Sequence, residues 1–396
     1  MSLEMVPFSA SDAYRLISFT DLSSTVKRYF KVEQALMDEV HGGIPTYVIH
    51  KDGNVKSGFE KMKLRLDAFQ IVPLLREAED KSQYVLRIFG IRKAPGKNPR
   101  TRAKTPIQPI LLIVTIITVS ISGYFISDAF FTSTGTTASL PLMLLSTAEY
   151  AASLMAILTV HELGHVIACK LHLIKSTLPY FIPAPPYLGP GLFTPGTFGA
   201  VILQKETPVN RDHLFDLGIA GPLSGFIVAF IVTIIGLSPG LSKPVFAPPG
   251  GVGIYPPPLV YIIATLIPGL SVGGTAIGLH PIAQAGFLGL IITCLNLFPI
   301  SQLDGGHVSR AVFGSKWYSK ASIVSLIILL FLGSIPPYFF LPFAILIIFF
   351  SIGGGHPGPL DDVSKITNGR KLTMILGFVI LVLSLPMEYL KLLQPF

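Results

Sequence analysis

The segment LTVHELGHVIACK, residues 158–170, places two histidines and a glutamate in an otherwise apolar stretch. If the segment is helical, His161 and His165 lie one turn apart on one face and can direct ring nitrogens at the same metal ion. Glu162 then lies about 100° round the helix, where its carboxylate can deprotonate a bound water molecule. Gly164 leaves room for a second backbone. The spacing predicts part of a zinc hydrolase site, although HExxH strings also occur by chance.

A catalytic zinc site needs a third protein ligand and an open fourth position. The segment NLFPISQLDGGHV, residues 296–308, supplies a candidate in Asp304, which we expect to end an apolar helix. Gly305 and Gly306 allow a turn beside the metal without a Cβ in the way. His307 is a rival ligand of suitable chemistry, and an Asp-Gly-Gly string is also an ordinary turn. We prefer Asp304 because it precedes the glycines and lies on the membrane side.

The composition is that of a membrane protein. Half of the residues are hydrophobic and 13% are charged, and the mean hydropathy is +0.62. Residues 1–105 hold 30 of the 52 charged residues. We therefore predict a small soluble domain with a basic linker in residues 1–105, a transmembrane core in residues 106–310, and additional transmembrane helices in residues 311–396.

The net charge of +8 does not indicate nucleic acid as a partner. The sequence has no basic helix interleaved with aromatic residues, and most of the positive excess lies beside apolar segments. In the N-terminal region, SDAYRLISF and VKRYFKVEQALMDEV have helical apolar spacing, whereas TYVIHKDGN and SQYVLRIFGIRK are typical of short strands. This pattern predicts an α+β domain, whose partner the sequence does not identify.

Long apolar runs predict about seven membrane spans. They cover residues 107–127, 140–173, 214–237, 281–300, 321–335, 338–352 and 372–393. The fifth and sixth are short and separated by IPP, so they form either a tight pair or one broken span. Lys and Arg residues fall in alternate loops, which favours a multi-pass integral membrane protein with a cytoplasmic N-terminus. Both HELGH and LDGG then lie at the cytoplasmic ends of their helices.

Four segments together carry a specific resemblance. They are HELGH, GTFGAVI at 196–202, GIAGPLSG at 218–225 and HPIAQAGFLGLIITCLNLFPISQLDGGHV at 280–308. The chain resembles the site-2 protease family of intramembrane zinc metalloproteases, and most of all the prokaryotic and plastid members with an N-terminal soluble domain and no PDZ insertion. The resemblance covers residues 105–310, and more weakly the DD-containing loop at 356–363.

The resemblance implies an enzyme with one catalytic Zn²⁺, held by His161, His165 and Asp304, and with Glu162 as the general base. It implies a transmembrane protein as substrate, cut in or near its membrane segment close to the cytoplasmic face, as in regulated intramembrane proteolysis. The lipid bilayer is the second partner. The location we expect is a prokaryotic cell membrane, and the fold is a polytopic α-helical membrane protein with a short membrane-associated β element.

Substrate-binding residues also follow from the resemblance. The family's Asn-x-x-Pro motif matches Asn296 and Pro299. Asn296 could instead hydrogen-bond a neighbouring helix, and Pro299 could simply kink one. Gly196, Phe198 and Gly199 match membrane-associated strands whose edge could pair with an unwound substrate, and the alternative is a surface hairpin without substrate contact. The small residues of GIAGPLSG suit helix packing against the metal-binding helix.

Two other classes of protein are possible from the sequence. One is a catalytically silent member of the same family that acts as a membrane chaperone or scaffold, against which the intact His, Glu and Asp residues argue. The other is a membrane zinc peptidase with a Glu as third ligand, but no Glu occurs between Glu206 and Glu388. A transporter is disfavoured because the hydropathy pattern has no internal repeat.

Overall fold

The structure is a computed structural model in which the chain divides into two compact units. Unit one comprises residues 1–104, 207–214 and 357–367, and unit two comprises residues 105–206, 215–356 and 368–396. The structure describes residues 17–38, 43–51, 55–79, 81–90, 107–186, 194–245, 256–270, 276–300, 303–334, 341, 344–345, 348 and 357–386.

In its described residues, unit one is built on a four-stranded antiparallel sheet in the order β1-β2-β4-β3 with two helices. Its elements in chain order are α1 (Phe19–Tyr29), β1 (Val32–Asp38), β2 (Ile44–Ile49), α2 (Val55–Asp67), β3 (Ile71–Glu77) and β4 (Tyr84–Gly90). The core consists of buried side chains such as Val26, Tyr47, Phe59, Met62 and Leu86. These elements form the small α+β region that the sequence predicts.

The sequence prediction was wrong at one element of this unit. The helical spacing of VKRYFKVEQALMDEV extends through Val32–Asp38, but these residues form β1 and pair antiparallel with β2. The cross-strand hydrogen bonds with β2 outweigh the local preference of these residues for a helix, which is weak by itself. The two predicted strands are confirmed as β2 and β4, while α2 and β3 were not predicted. Most of SDAYRLISF lies outside the described residues, and α1 begins at Phe19.

Two segments from much later in the chain complete the sheet of unit one. Leu75 in β3 donates its N–H to the carbonyl of Leu360 at 2.9 Å, and Leu360 in turn donates to Pro208 at 2.9 Å. The side chains of Val209 and Leu360 belong to the same hydrophobic core as the sheet and helices. Covering the β3 edge in this way satisfies backbone groups that would otherwise be an open template for pairing.

Unit two is mainly helical. Its helices are α3 (Ile107–Ser133), α4 (Leu140–Leu171), α5 (Arg211–Leu237, whose first four residues belong to unit one), α6 (Pro258–Leu266), α7 (Pro281–Leu297), α8 (Asp304–Gly333) and α9 (Asn368–Ser384). Two antiparallel strand pairs accompany them: β5 (Tyr180–Pro183) with β6 (Thr197–Val201), and β7 (Lys243–Val245) with β8 (Ala276–Gly278). The strand predicted from GTFGAVI is therefore present as β6.

Four helices of the described chain are long and apolar enough to cross a membrane, namely α3, α4, α5 and α8. The shorter apolar helix α7 joins them. The protein is thus an integral membrane protein with mostly helical structure. The predicted fifth span proves to be the end of the longer helix α8, which contains a break at Gly314, where φ is 73°. Most of the predicted sixth span lies outside the described residues.

Small residues bring the helices of unit two together. A Cβ added at Gly236 of α5 would lie 2.1 Å from the backbone nitrogen of Ala283 in α7, and one at Gly286 of α7 would lie 2.4 Å from Oγ1 of Thr233. Glycine is the residue type that permits such backbone approach between membrane helices, where packing rather than water exclusion drives association. Because α5 packs closely on its neighbours, it can also approach α4.

Candidate metal centre

Helix α4 presents its two histidines on one buried face. His161 and His165 are separated by one helical turn, and their rings lie at 68° with centroids 5.1 Å apart. His161 is 4% exposed and His165 is 7% exposed. The predicted helix is confirmed, and because the spacing is that of a single turn, both imidazoles point to the same place.

Asp304 reaches this place from a different helix, at the start of α8 rather than at the end of the preceding helix as the sequence suggested. Helix α7 stops at Leu297, and Phe298 and Pro299 continue the chain in extended or irregular conformation. A Cβ added at Gly305 would lie 2.1 Å from the carbonyl oxygen of Leu297. Glycine at 305 therefore lets the first turn of α8 press against the end of α7, which brings Asp304 to the histidines.

The three side chains converge atom to atom. Nε2 of His161 lies 3.1 Å from Oδ2 of Asp304, Nε2 of His165 lies 3.3 Å from Oδ1 of Asp304, and the two Nε2 atoms are 3.3 Å apart. Tetrahedral zinc with bonds of about 2.0–2.1 Å holds its ligand atoms about 3.3 Å from one another. Each imidazole contacts a different oxygen of the carboxylate, and one oxygen and the two nitrogens, all within 4.8 Å of one another, suit a zinc ion with three protein ligands.

The backbone of α5 supports this cluster from behind. Nδ1 of His165 lies 2.7 Å from the carbonyl oxygen of Leu217, a residue that is 1% exposed. Because a carbonyl only accepts hydrogen bonds, Nδ1 carries the proton and Nε2 is left with its lone pair for a metal. Sequence reasoning missed this contact, since a backbone carbonyl has no residue-type signature.

Glycines allow α5 to come this close. A Cβ at Gly221 would lie 2.0 Å from Nε2 of His165, and a Cβ at Gly225 would lie 2.9 Å from Nδ1 of His161. On the other helix, a Cβ at Gly164 would lie 2.6 Å from the carbonyl oxygen of Ala220. The prediction that Gly164 and the small residues of GIAGPLSG serve helix packing around the metal-binding helix is confirmed.

Glu162 is also buried, at 6% exposure, on the next face of α4. It lies near enough to His165 and Asp304 to interact with both electrostatically. Its carboxylate makes no hydrogen bond to another residue within the described part of the chain. A carboxylate beside the ligand cluster, without a hydrogen-bonding partner among these residues, is chemically suited to exchange protons.

Of the predicted substrate-binding residues, Asn296 joins the cluster. Its Nδ2 lies 3.4 Å from Nε2 of His161, and Asn296 is the last residue but one of α7. Pro299 follows that end and is half-buried. His307 lies on α8 with its Cβ against Gly218 of α5, and the group of residues that could share a metal does not include it.

Of the remaining predicted residues, Phe198 and Gly199 lie on β6, and Gly196 directly precedes it. Oγ1 of Thr118 in α3 donates to the carbonyl of Gly196 at 2.6 Å, and a Cβ at Gly196 would lie 2.5 Å from the carbonyl oxygen of Thr118. Gly199 has φ of +100°, and the register with β5 shifts between Ile182 and Pro183, opposite Phe198. Phe198 is therefore the extra residue of a bulge, and 49% of it is exposed.

The region of the chain that contains this cluster is similar to known proteins. Residues 149–335 match the model of peptidase family M50. The chain is 28% identical over 238 residues to "Probable zinc metalloprotease EGY2, chloroplastic" of Oryza sativa subsp. indica, which covers 58% of this chain and 40% of that protein. It is 29% identical over 238 residues to the protein of the same name from Arabidopsis thaliana, with 58% and 39% covered.

A third relative is "Probable zinc metalloprotease EGY1, chloroplastic" of Oryza sativa subsp. japonica, 29% identical over 240 residues, with 58% of this chain and 39% of that protein covered. The chain thus spans about two fifths of the length of these relatives. No solved structure gives a significant match. The matched region contains His161, His165, Glu162, Asn296 and Asp304, so the part of the chain that holds the candidate metal centre is similar to peptidase family M50, the family of the site-2 proteases that its motifs resemble.

Proposed function

We propose that the protein is a zinc-dependent intramembrane endopeptidase that hydrolyses a peptide bond in or near a transmembrane segment of another membrane protein. The observation that carries this proposal is the convergence of three side chains from two helices: the two Nε2 atoms are 3.3 Å apart, and each lies 3.1–3.3 Å from one oxygen of the Asp304 carboxylate. Two histidines and a carboxylate in an apolar setting are costly unless a metal and a function justify them.

Zinc would be held by Nε2 of His161, Nε2 of His165 and the carboxylate of Asp304. When bound, it supplies Lewis acidity toward water and toward the carbonyl of the scissile bond. Three protein ligands leave the fourth position open for this chemistry. Cys169 follows His165 by one turn and is fully buried, and it packs with Ile174 and Leu217 instead.

The protein's own side chains then manage protons and charge. Glu162 takes the proton from the attacking water and passes it to the leaving amide nitrogen as the peptide bond breaks. The Nδ2 group of Asn296, beside His161, is placed to donate a hydrogen bond to the oxygen that becomes negative in the transition state. The hydrogen bond from His165 to Leu217 keeps that imidazole in one tautomer throughout.

A helical substrate must unwind before its peptide bond can reach these groups. We propose that the unwound segment pairs with the edge of β6, with Gly199 leaving the backbone accessible and Phe198 contacting the substrate side chains. Gly196, buried against Thr118 of α3, would hold the start of this strand in place. Support comes from the bulge and from the exposure of two apolar side chains of β6, Phe198 at 49% and Val201 at 44%.

The proposal also includes the orientation of the chain in the membrane and the number of its spans. We propose about seven spans with the N-terminus in the cytoplasm, because the Lys and Arg residues of the loops then face inward except for Lys243. The metal centre would lie near the cytoplasmic face, where water is close, and cleavage would release a cytoplasmic fragment, as in regulated intramembrane proteolysis. The membrane would be a prokaryotic cell membrane, although the named plant relatives are described as chloroplastic.

The first prediction concerns the general base. Glu162→Gln removes the proton acceptor but keeps the shape of the side chain, so cleavage of a single-span membrane protein in detergent should fall by roughly 10²- to 10⁴-fold. Zinc content should not change. The matched control is Glu149→Gln, the same substitution on the same helix α4, which should cleave normally. Equal activity of Glu162→Gln and wild type would remove Glu162 from the chemistry.

The second prediction concerns the third ligand. Asp304→Asn replaces a carboxylate that lies within 3.3 Å of both imidazoles, so the purified protein should lose bound zinc. His307→Ala should keep it, because His307 lies outside the ligand cluster. Zinc is measured by mass spectrometry of metals after gel filtration in detergent. Loss of zinc from His307→Ala alone would show that the ligand assignment is mistaken.

The third prediction concerns the substrate strand. Phe198→Ala should raise KM for a membrane substrate roughly tenfold, the effect of losing about 1.4 kcal/mol of contact, with kcat little changed. Leu178→Ala is the matched control, since Leu178 is also an exposed apolar residue, 65% exposed, just before β5. If both variants keep the wild-type KM, β6 is a surface hairpin without substrate contact.

A further inference from the structure

Three ionisable side chains of unit two meet outside the zinc cluster, each from a different helix. Asp216 lies on α5, His172 caps the end of α4, and Arg370 lies in the first turn of α9. Nε2 of His172 is 2.9 Å from Oδ2 of Asp216, and Nε of Arg370 donates to Oδ1 at 2.7 Å. A second guanidinium nitrogen of Arg370 donates to Oδ2.

The distances and orientations within this cluster are more tightly fixed than those of an ordinary surface ion pair. Arg370 holds both oxygens of the Asp216 carboxylate, an arrangement that fixes distance and orientation together. The side chains of Asp216 and Arg370 are 26% and 27% exposed, and that of His172 is 17% exposed. Partial burial reduces screening by water and salt, so the ends of three helices are fastened at one point.

The position of the cluster relates it to the metal centre along two helices. Asp216 directly precedes Leu217, whose carbonyl accepts the hydrogen bond from His165. His172 follows His165 by seven residues, which is two turns on the same side of α4. We call the cluster of Asp216, His172 and Arg370 the clamp. At His172 it restrains α4 two turns beyond the zinc ligand His165, and at Asp216 it restrains α5 one residue before the carbonyl that orients His165.

The contact with α9 continues past the clamp. Gly377 lies seven residues after Arg370, on the same side of α9, and a Cβ there would lie 3.1 Å from Cδ1 of Ile219 in α5. Arg370 and Gly377 thus meet α5 at Asp216 and Ile219, which flank Leu217. Helix α9 lies beyond residues 149–335, the region that matches the family model.

From this geometry we infer that Asp216 is a positioning residue for the zinc ligand His165, acting together with His172 and Arg370. The clamp fixes the register of α5 against α4, so that the Leu217 carbonyl holds the Nδ1 proton of His165 and leaves Nε2 directed at the metal. The inference rests on the proposed function, because it requires that His165 bind zinc. Mutation of groups that orient a metal-binding histidine typically lowers metal affinity by roughly 10- to 100-fold.

The experiment measures zinc affinity of the full chain in detergent, by competition with a chromophoric chelator, alongside the thermal unfolding temperature. Asp216→Ala should raise the Kd for zinc by roughly 10- to 100-fold, the usual effect of losing such a supporting contact. The measurement is made well below the unfolding temperature, so that general loss of stability does not enter the Kd.

Glu206→Ala is the matched control. It breaks an ion pair with Lys175, whose atoms are 3.0 Å apart and whose side chains are 36% and 77% exposed. This pair also belongs to unit two and does not involve α5, and exposed pairs of this kind contribute little. The zinc affinity of Glu206→Ala should equal that of wild type.

The outcomes separate the inference from the function on which it rests. Wild-type zinc affinity in Asp216→Ala, whatever its unfolding temperature, would show that the clamp is only structural. If Asp216→Ala does not fold, Arg370→Lys decides, because it keeps the positive charge but loses the two-point contact, and an unchanged zinc Kd would overturn the inference. If wild type binds no zinc, or binds it equally after His165→Ala, the proposed function itself has failed.

Discussion

The approach of α4 to α5 is the contact on which the rest of the metal centre depends. At their crossing, a Cβ at Gly164 would lie 2.6 Å from a carbonyl oxygen of α5, and a Cβ at Gly221 would lie 2.0 Å from Nε2 of His165. Only because both helices have glycine there can the Leu217 carbonyl reach the Nδ1 atom of His165 at 2.7 Å. The backbone of α5 thereby orients a metal ligand on α4. In an apolar surrounding, where an unpaired polar group is expensive, this hydrogen bond also satisfies the second nitrogen of the imidazole.

The second constraint is the free-energy cost of burying a carboxylate beside two imidazoles inside a membrane protein. Asp304 begins α8, and Gly305 allows the start of α8 to pack against Leu297 at the end of α7. Without a cation, these groups would form a buried polar cluster with little reason to persist. With a zinc ion of charge +2, the single negative charge of Asp304 and the two neutral imidazoles form a stable ligand set.

How much of this could be predicted from the sequence depends on whether the information is local. The shared face of His161 and His165 follows from helical periodicity, and the arrival of Asp304 follows from its motif and from the loop charges. The Leu217 carbonyl could not be predicted, since its role is a matter of helix register. Residues 32–38 were misassigned because pairing with β2 decides their conformation. The contact of His172 with Asp216, which Arg370 also holds, could not be predicted, since these residues lie far apart in sequence.

X-ray absorption at the zinc K edge tests the central claim most directly, with the purified full chain loaded with one equivalent of zinc. We predict a first shell of nitrogen and oxygen atoms at about 2.0–2.1 Å, with the multiple scattering of two imidazoles and without sulfur at about 2.3 Å. A sulfur shell would point to Cys169, which lies one turn beyond His165. Such a shell, or a spectrum without histidine scattering, would contradict a site made of His161, His165 and Asp304.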